Sequence, residues 1–360
     1  MIDWKRFGYV LAFVTPALMP ASAWLVAHSG HADPAAAFPL FFLFVLLPLA
    51  DYAIGRDRQN PQDDDAAQRL ERDPFYRALT IACLPIQLLT LAASAYWFTQ
   101  LPLSPLGQLL WIASQGVVSG VLAINVAHEL IHKNERLDQL CGGLLLSSVN
   151  YSGFKIEHLR GHHVHVSTPL DASSARLGEI VYPFVLRALW HNTANAWKLE
   201  AERLNRLGKP AWHWRNELLA WGGATVVMAA ALGLWLGAAA VLFFFAQGLC
   251  AAMTLETINY IEHYGLHRRV LDNGRFERTT HLHSWNSNYL LTNLMLFQLQ
   301  RHSDHHETAK RRYQGLRHYD ASPQLPGGYA AMFVLALCPP LWRSVIDPRV
   351  RSFYASPVSE

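Results

Sequence analysis

Four short stretches of this sequence concentrate histidine at spacings suited to metal chelation. They are HELIHK (128–133), EHLRGHH (157–163), NYIEHYGL (259–266) and LQRHSDHH (299–306). On a helix, residues four apart share one face, so His128 and His132 can bind one ion together. The remaining seven histidines of these stretches are His158, His162, His163, His263, His302, His305 and His306. The pattern indicates a metal centre built from imidazole.

Nine imidazoles exceed the needs of a single ion. A structural zinc takes four protein ligands, and a catalytic zinc takes three plus water. Nine suit two ions, with coordination positions left for oxygen or water. Imidazole binds iron, copper, nickel and zinc alike, so the ligand type alone leaves the metal open. The four cysteines (Cys83, Cys141, Cys250 and Cys338) are widely spaced among apolar residues. Because no CxxC pair is present, they predict neither a disulfide framework nor a cysteine-ligated metal site. Among apolar neighbours they are expected to be buried thiols.

Acidic residues accompany the histidines. Glu129, Glu157, Glu262 and Asp304 each adjoin a histidine of one stretch. A carboxylate that accepts the second ring N–H of a ligand fixes its tautomer and strengthens it as a donor. Neighbours on a helix point about 100° apart, so each acid is expected to orient a histidine of another stretch, with direct metal ligation by one of them left open. Glu256 lies in an apolar segment and should face the site, because a carboxylate is costly in lipid. Catalytic roles are therefore predicted for Glu129, Glu256, Glu262 and Asp304.

Apolar segments long enough to cross a bilayer dominate the rest of the chain. Of 360 residues, 51% are hydrophobic and 16% are charged, whereas soluble domains have about a quarter charged. Six stretches approach the roughly 20 apolar residues that a spanning helix needs. They are 8–27, 37–54, 78–98, 107–127, 217–236 and 239–260. The prediction is an all-α integral membrane protein with six transmembrane helices. A cleaved signal peptide would leave five, but the first apolar run continues to Val26, which favours an uncleaved span.

The distribution of Lys and Arg orients these spans. Neither residue occurs between spans 1 and 2, 3 and 4, or 5 and 6. By the positive-inside rule both termini and all four histidine stretches are then cytoplasmic. Spans 5 and 6 should form a tight hairpin at Gly237. The expected organisation is four spans (1–127), a cytoplasmic region with the first two stretches (128–216), two spans (217–260), and a cytoplasmic region with the last two stretches and a membrane-apposed C-terminal segment (261–360).

In this order and spacing, the four stretches resemble the membrane-bound alkane 1-monooxygenases. DYAIGRDRQNP (51–61), DASSARLGE (171–179) and HSWNSN (283–288) also match that family. The resemblance implies a non-haem di-iron enzyme whose two iron ions (Fe2+/Fe3+) are held by the nine histidines. It further implies that O2 and two electrons from soluble rubredoxin, with its reductase, convert an n-alkane from the bilayer to a primary alcohol. The implied location is the bacterial inner membrane, with rubredoxin at the cytoplasmic face.

Two surfaces follow as hypotheses. A narrow channel between spans would admit the alkane, with Trp111, Phe243, Phe244 or Phe245 in its wall, although lipid-facing packing also explains such residues. The basic run Lys310-Arg311-Arg312 would receive the electron carrier, although a solvated or headgroup-contacting run has the same composition. The formal net charge of +3 does not suggest a nucleic-acid partner.

Other functions account for less of the pattern. A xylene-type methyl hydroxylase, or a fatty-acyl or lipid desaturase-hydroxylase, would use the same kind of di-iron site and stays the alternative. A metalloprotease using HELIH with Glu129 as base would leave seven histidines unexplained. A metal transporter would place its ligands near the middle of the membrane, whereas these stretches lie at one surface.

Overall fold

The computed structural model describes residues 4–355, about 70% of the chain being helical. Over these residues it contains isolated β-bridges but no strand. The main helices are α1 (Trp4–His28), α2 (Phe38–Ile54), α3 (Pro74–Gln100), α4 (Pro105–Ile131), α5 (Arg136–Ser148), α6 (153–165), α7 (Val181–Arg206), α8 (Glu217–Leu236), α9 (Ala238–His263), α10 (Leu290–Met295), α11 (His302–Glu307), α12 (Tyr329–Ala336) and α13 (Pro339–Ala355). Short helices at Ala32–Ala36 and Asp64–Arg72 lie in the connections. The expected all-α membrane architecture is confirmed.

Five of the described helices are long and apolar enough to cross a membrane: α1, α3, α4, α8 and α9. The sixth expected span forms α2, which is apolar but shorter. Pro48 lacks the N–H for a bond to the preceding turn, and the helix widens into π winding over Phe42–Leu46 directly before it. The structure therefore supports five full spans and leaves a shorter apolar helix where the sixth was predicted.

Local sequence signals explain where the spans begin. Asp73 and Ser104 cap α3 and α4 by accepting hydrogen bonds from backbone N–H groups of the first turn, and a proline follows each cap. Asn216 caps α8 in the same way. Gly237, with φ +83°, joins α8 directly to α9, a left-handed conformation that favours glycine. The predicted hairpin is confirmed.

The spans present apolar side chains outward. In the most apolar 18-residue stretch of α8 only 22% is buried within the protein, and Leu234 is 91% exposed. Such a surface is stable against lipid but not against water. Inward, α4 and α9 approach closely, because a Cβ added at Gly116 would lie 2.3 Å from the Cβ of Cys250. Small residues at helix crossings are a common means of packing membrane helices.

One end of the bundle gathers the histidine stretches. HELIHK closes α4 and the NYIEH part of NYIEHYGL closes α9, so both stretches lie where these two helices emerge. The connecting helices α6 and α11 carry the other two. Helix α12 packs on α9 through Tyr329, Met332 and Ala336. We call this end the histidine face.

Candidate metal centre

The nine histidines come together in two groups. Group A contains His128, His132, His158, His163 and His305, and group B contains His162, His263, His302 and His306. Within each group, one ring nitrogen from every member lies within 4.8 Å of all the others. Two stretches contribute to both groups, so the two candidate ion sites are built as one unit.

Ring nitrogens of different histidines face one another at short distances. The Nε2 atoms of His132 and His158 are 3.0 Å apart, and those of His302 and His306 are 2.9 Å apart. The buried Nε2 atoms of His128 and His162 have no hydrogen-bond partner within residues 4–355. Converging lone pairs repel unless a cation lies between them. The donor set therefore fits metal ions, and all-imidazole ligation suits iron among others.

Three histidines of group A are neutral, as ligation requires. Burial, and then the neighbouring rings, hold the pKa of His158, His163 and His305 well below the ordinary value of a histidine. These three residues keep a free lone pair at neutral pH, so a metal does not have to displace a proton from them.

Asp171 orients a group B histidine that no carboxylate predicted from the sequence reaches. Its Oδ2 accepts from His162 Nδ1 at 3.0 Å, which leaves His162 Nε2 to face group B. Burial alone would raise the pKa of Asp171, but the His162 ring lowers it to about 2. Burial would lower the pKa of His162, but Asp171 raises it to about 8. Asp171 is the first residue of the stretch DASSARLGE (171–179), but the sequence did not indicate that it contacts a histidine of EHLRGHH.

The four carboxylates predicted to be catalytic have different surroundings. Glu262 Oε2 lies 3.2 Å from His302 Nε2. Glu256 is buried in α9, where it accepts from Tyr151 Oη at 2.5 Å and from the amide of Asn259. Of these two carboxylates, Glu262 contacts a histidine, whereas Glu256 is held by Tyr151 and Asn259.

Glu129 and Asp304 bind partners away from the imidazoles. Glu129 pairs with Lys133 at 3.0 Å and accepts from the backbone N–H of Tyr313. Asp304 pairs with Arg311 and accepts from the backbone N–H of Arg317 at 2.8 Å. Both carboxylates tie a histidine helix to the segment that follows α11, because the neighbouring side chain on a helix points away from the histidine's direction.

Backbone strain and a buried arginine position LQRHSDHH. Phe297 and Gln298 have φ values of +50° and +59°, a region that non-glycine residues rarely adopt. Arg301 is 1% exposed and donates to the carbonyl oxygens of Leu316, Asp57 and Gln59. These bonds fix the start of α11 against two remote loops, so that its histidines reach both groups.

An apolar cavity runs from the spans to this centre. Its inner wall includes His128 and His158 of group A and His302 of group B. Its empty volume is about 890 Å³ including the open mouth, but only about 90 Å³ admits the centre of a water molecule. The cavity is therefore narrow. Phe44 of α2 and Phe333 of α12 line it and stack with their ring centroids 4.7 Å apart.

The aromatic residues expected to form this wall lie elsewhere. Trp111, Phe243 and Phe244 are fully buried in an apolar core and do not line the cavity, and Phe245 is 39% exposed on the outside of α9. Hydropathy does not distinguish a cavity wall from a packed core, and the prediction was wrong for this reason.

The basic run proposed as the carrier site is mostly engaged within the protein. Arg311 pairs with Asp304, and Arg312 pairs with Glu135 and with Asp138. Two of its three charges are thus neutralised internally, while Lys310 is exposed. The run contributes to the packing around α11, and it offers little free positive charge.

Comparison with known proteins identifies relatives along almost the whole chain. Residues 103–336 match the family described as fatty acid desaturase. The chain is 52% identical to alkane 1-monooxygenase 2 of Pseudomonas aeruginosa, covering 99% of this chain and 94% of that protein. It is also 52% identical to alkane 1-monooxygenase 2 of Alcanivorax borkumensis, covering 98% and 93%. A xylene/toluene monooxygenase hydroxylase component of Pseudomonas putida is 30% identical over 68% of this chain.

Proposed function

The chain belongs to the membrane-bound alkane 1-monooxygenase family, and from that membership we propose that it is a di-iron enzyme that hydroxylates the terminal methyl of medium- or long-chain n-alkanes. The reaction is RH + O2 + 2 e− + 2 H+ → ROH + H2O. At 52% identity over nearly the full chain, alkane hydroxylation by a membrane monooxygenase is the shared activity. The weaker 30% identity to the xylene-type enzyme makes a methyl-arene substrate the lesser candidate.

The observation that carries this proposal is the cavity that ends at the histidines. Its wall is built from apolar residues of several spans, and both histidine groups contribute to its inner end. Each CH2 group buried in such a space contributes about 0.8 kcal/mol, so an alkyl chain binds without polar contacts. A narrow cavity that ends at the histidines presents one end of the alkane to the metal centre, which favours terminal oxidation.

The nine histidines would hold two iron ions, five in group A and four in group B. Bound iron supplies the activation of O2 that no side chain can provide. Around it, this chain excludes water with the apolar wall and orients the rings through Asp171 and the helix ties already described. Glu262 lines the cavity and contacts His302, so its carboxylate is placed to accept a hydrogen bond from the nascent hydroxyl.

The electrons come from outside the chain, because its donor groups are imidazole rather than flavin or iron–sulfur ligands. We assign this role to rubredoxin with its reductase. By the distribution of Lys and Arg, the histidine face is cytoplasmic and the protein lies in the bacterial inner membrane with both termini inside.

Metal analysis combined with product identification tests the proposal. Purified enzyme should hold two irons per chain and convert octane and hexadecane to 1-alkanols when supplied with reduced rubredoxin. His305→Ala should lower the iron content, whereas His281→Ala, a nearby histidine in neither group, should retain it. One iron per chain, or alkene products in place of alcohols, would contradict the assignment.

A further inference from the structure

A second cavity lies beside group B, separated from it by Asp171. It has a volume of about 740 Å³ and is lined by Asp171, Arg176, Leu177, Arg351 and Tyr354 among others. Asp171 is itself 5% exposed and bonds directly to His162. A single side chain therefore separates this open cavity from a histidine of the metal centre.

The rim of this cavity combines exposed apolar groups with free positive charge. Leu177 is 46% exposed and Tyr354 is 43% exposed. Arg176 and Arg351 are exposed, and within residues 4–355 neither pairs with a carboxylate. We call these four residues the Arg176 surface.

This composition suits a protein partner that carries negative charge. Interfaces are enriched in Arg, Tyr and apolar anchors surrounded by polar groups. Complementary charge at the rim speeds association and orients the partner. The run Lys310-Arg311-Arg312 lacks these properties, because Arg311 and Arg312 are paired internally.

We infer that the Arg176 surface is the docking site of an acidic one-electron carrier protein, and that electrons enter group B through the Asp171–His162 hydrogen bond. This inference rests on the proposed function, since that reaction consumes two external electrons. Two reduced carriers dock in turn, each is oxidised by one electron, and the two protons come from solvent. O2 oxidises the alkane: one of its oxygen atoms becomes the hydroxyl oxygen of the alcohol and the other is reduced to water.

Charge reversal at the rim tests the docking site. The variants are Arg176→Glu and Arg351→Glu, and the matched control is Lys198→Glu on α7, which carries the same change of charge at an exposed position away from the cavity. Steady-state turnover is measured in neutral detergent with reduced rubredoxin, and separately with a small reduced viologen as donor. Each arginine variant should raise the KM for rubredoxin about 10-fold and weaken its salt dependence. The KM of the control variant for rubredoxin and the viologen-driven rate of the arginine variants should each change less than twofold.

The outcomes separate docking from chemistry. An unchanged KM for rubredoxin in Arg176→Glu, with normal alcohol formation, overturns the docking site and leaves the proposed function intact. An effect that appears only in anionic vesicles also overturns it, because the arginines would then contact lipid headgroups. Absence of alcohol from the unaltered enzyme with either donor overturns the proposed function and this inference with it.

Discussion

Replacing Asp171 with asparagine should weaken one of the two metal sites selectively. The carboxylate accepts from His162 Nδ1 at 3.0 Å and from Ser174 Oγ at 2.6 Å through Oδ2, and from the backbone N–H of Ser173 at 3.1 Å through Oδ1. An amide offers one acceptor where the site needs two. In either orientation its NH2 group faces a donor, the ring N–H of His162 or the backbone N–H of Ser173.

The magnitude follows from the tautomer of His162. Facing an NH2 group, Nδ1 gives up its proton, which then moves to Nε2 and blocks the lone pair that points into group B. Loss of such an orienting carboxylate typically costs 10- to 100-fold in metal affinity, or about 1.4–2.8 kcal/mol. Group A should keep its affinity, because the histidine that donates to Asp171 is His162 of group B.

Competition between the protein and a chelator measures this effect. Apo-enzyme is titrated anaerobically with Fe2+, and the iron bound per chain is followed. Asp138→Asn is the control, because Asp138 is equally buried and pairs with Arg77 and Arg312 rather than with a histidine. The reasoning is refuted if Asp171→Asn retains both sites within threefold, or if both variants lose iron equally.

Two further changes test the cavity and the support of α6. Phe333→Ala removes one ring of the stacked pair in the cavity wall. The ratio of kcat/KM for hexadecane to kcat/KM for octane should therefore rise about fourfold for each additional CH2 group accommodated. The control Phe245→Ala, on the outside of α9, should leave this ratio unchanged, and equal ratios in both variants would contradict the assigned wall. Glu200→Gln should lower the unfolding midpoint, because burial would raise the pKa of Glu200 but bonds from Arg203, the backbone of Glu217 and Arg160 lower it to about 2. A carboxyl with a lowered pKa stabilises the fold above its unfolded pKa of about 4.5, and this contribution is lost as the pH falls toward 2. The difference in the midpoint of thermal unfolding between pH 7 and pH 3, measured in detergent, should therefore be smaller for Glu200→Gln than for the unaltered protein.

Most of the membrane spans could be predicted from local sequence. Runs of apolar residues and their caps determine the spans, because a helix in lipid satisfies its own backbone hydrogen bonds whatever surrounds it. The exception is α2 (Phe38–Ile54), an apolar helix that is shorter than the five spans and contains a π stretch near Pro48. Apolar composition also failed to assign the cavity wall, since Trp111 and Phe333 are both aromatic residues in apolar segments, but only Phe333 lines the cavity.

Spacing and charge asymmetry predicted that nine histidines in four stretches lie at one end of a helical bundle, because both are local properties of the sequence. How the nine divide depends on the tertiary structure: His305 joins group A while its neighbour His306 joins group B. It also decided that Asp171 orients His162, and that Glu129 and Asp304 anchor helices. The physical reason is that ligation and hydrogen bonding depend on positions within a few ångströms, which are set by the packing of helices remote in sequence.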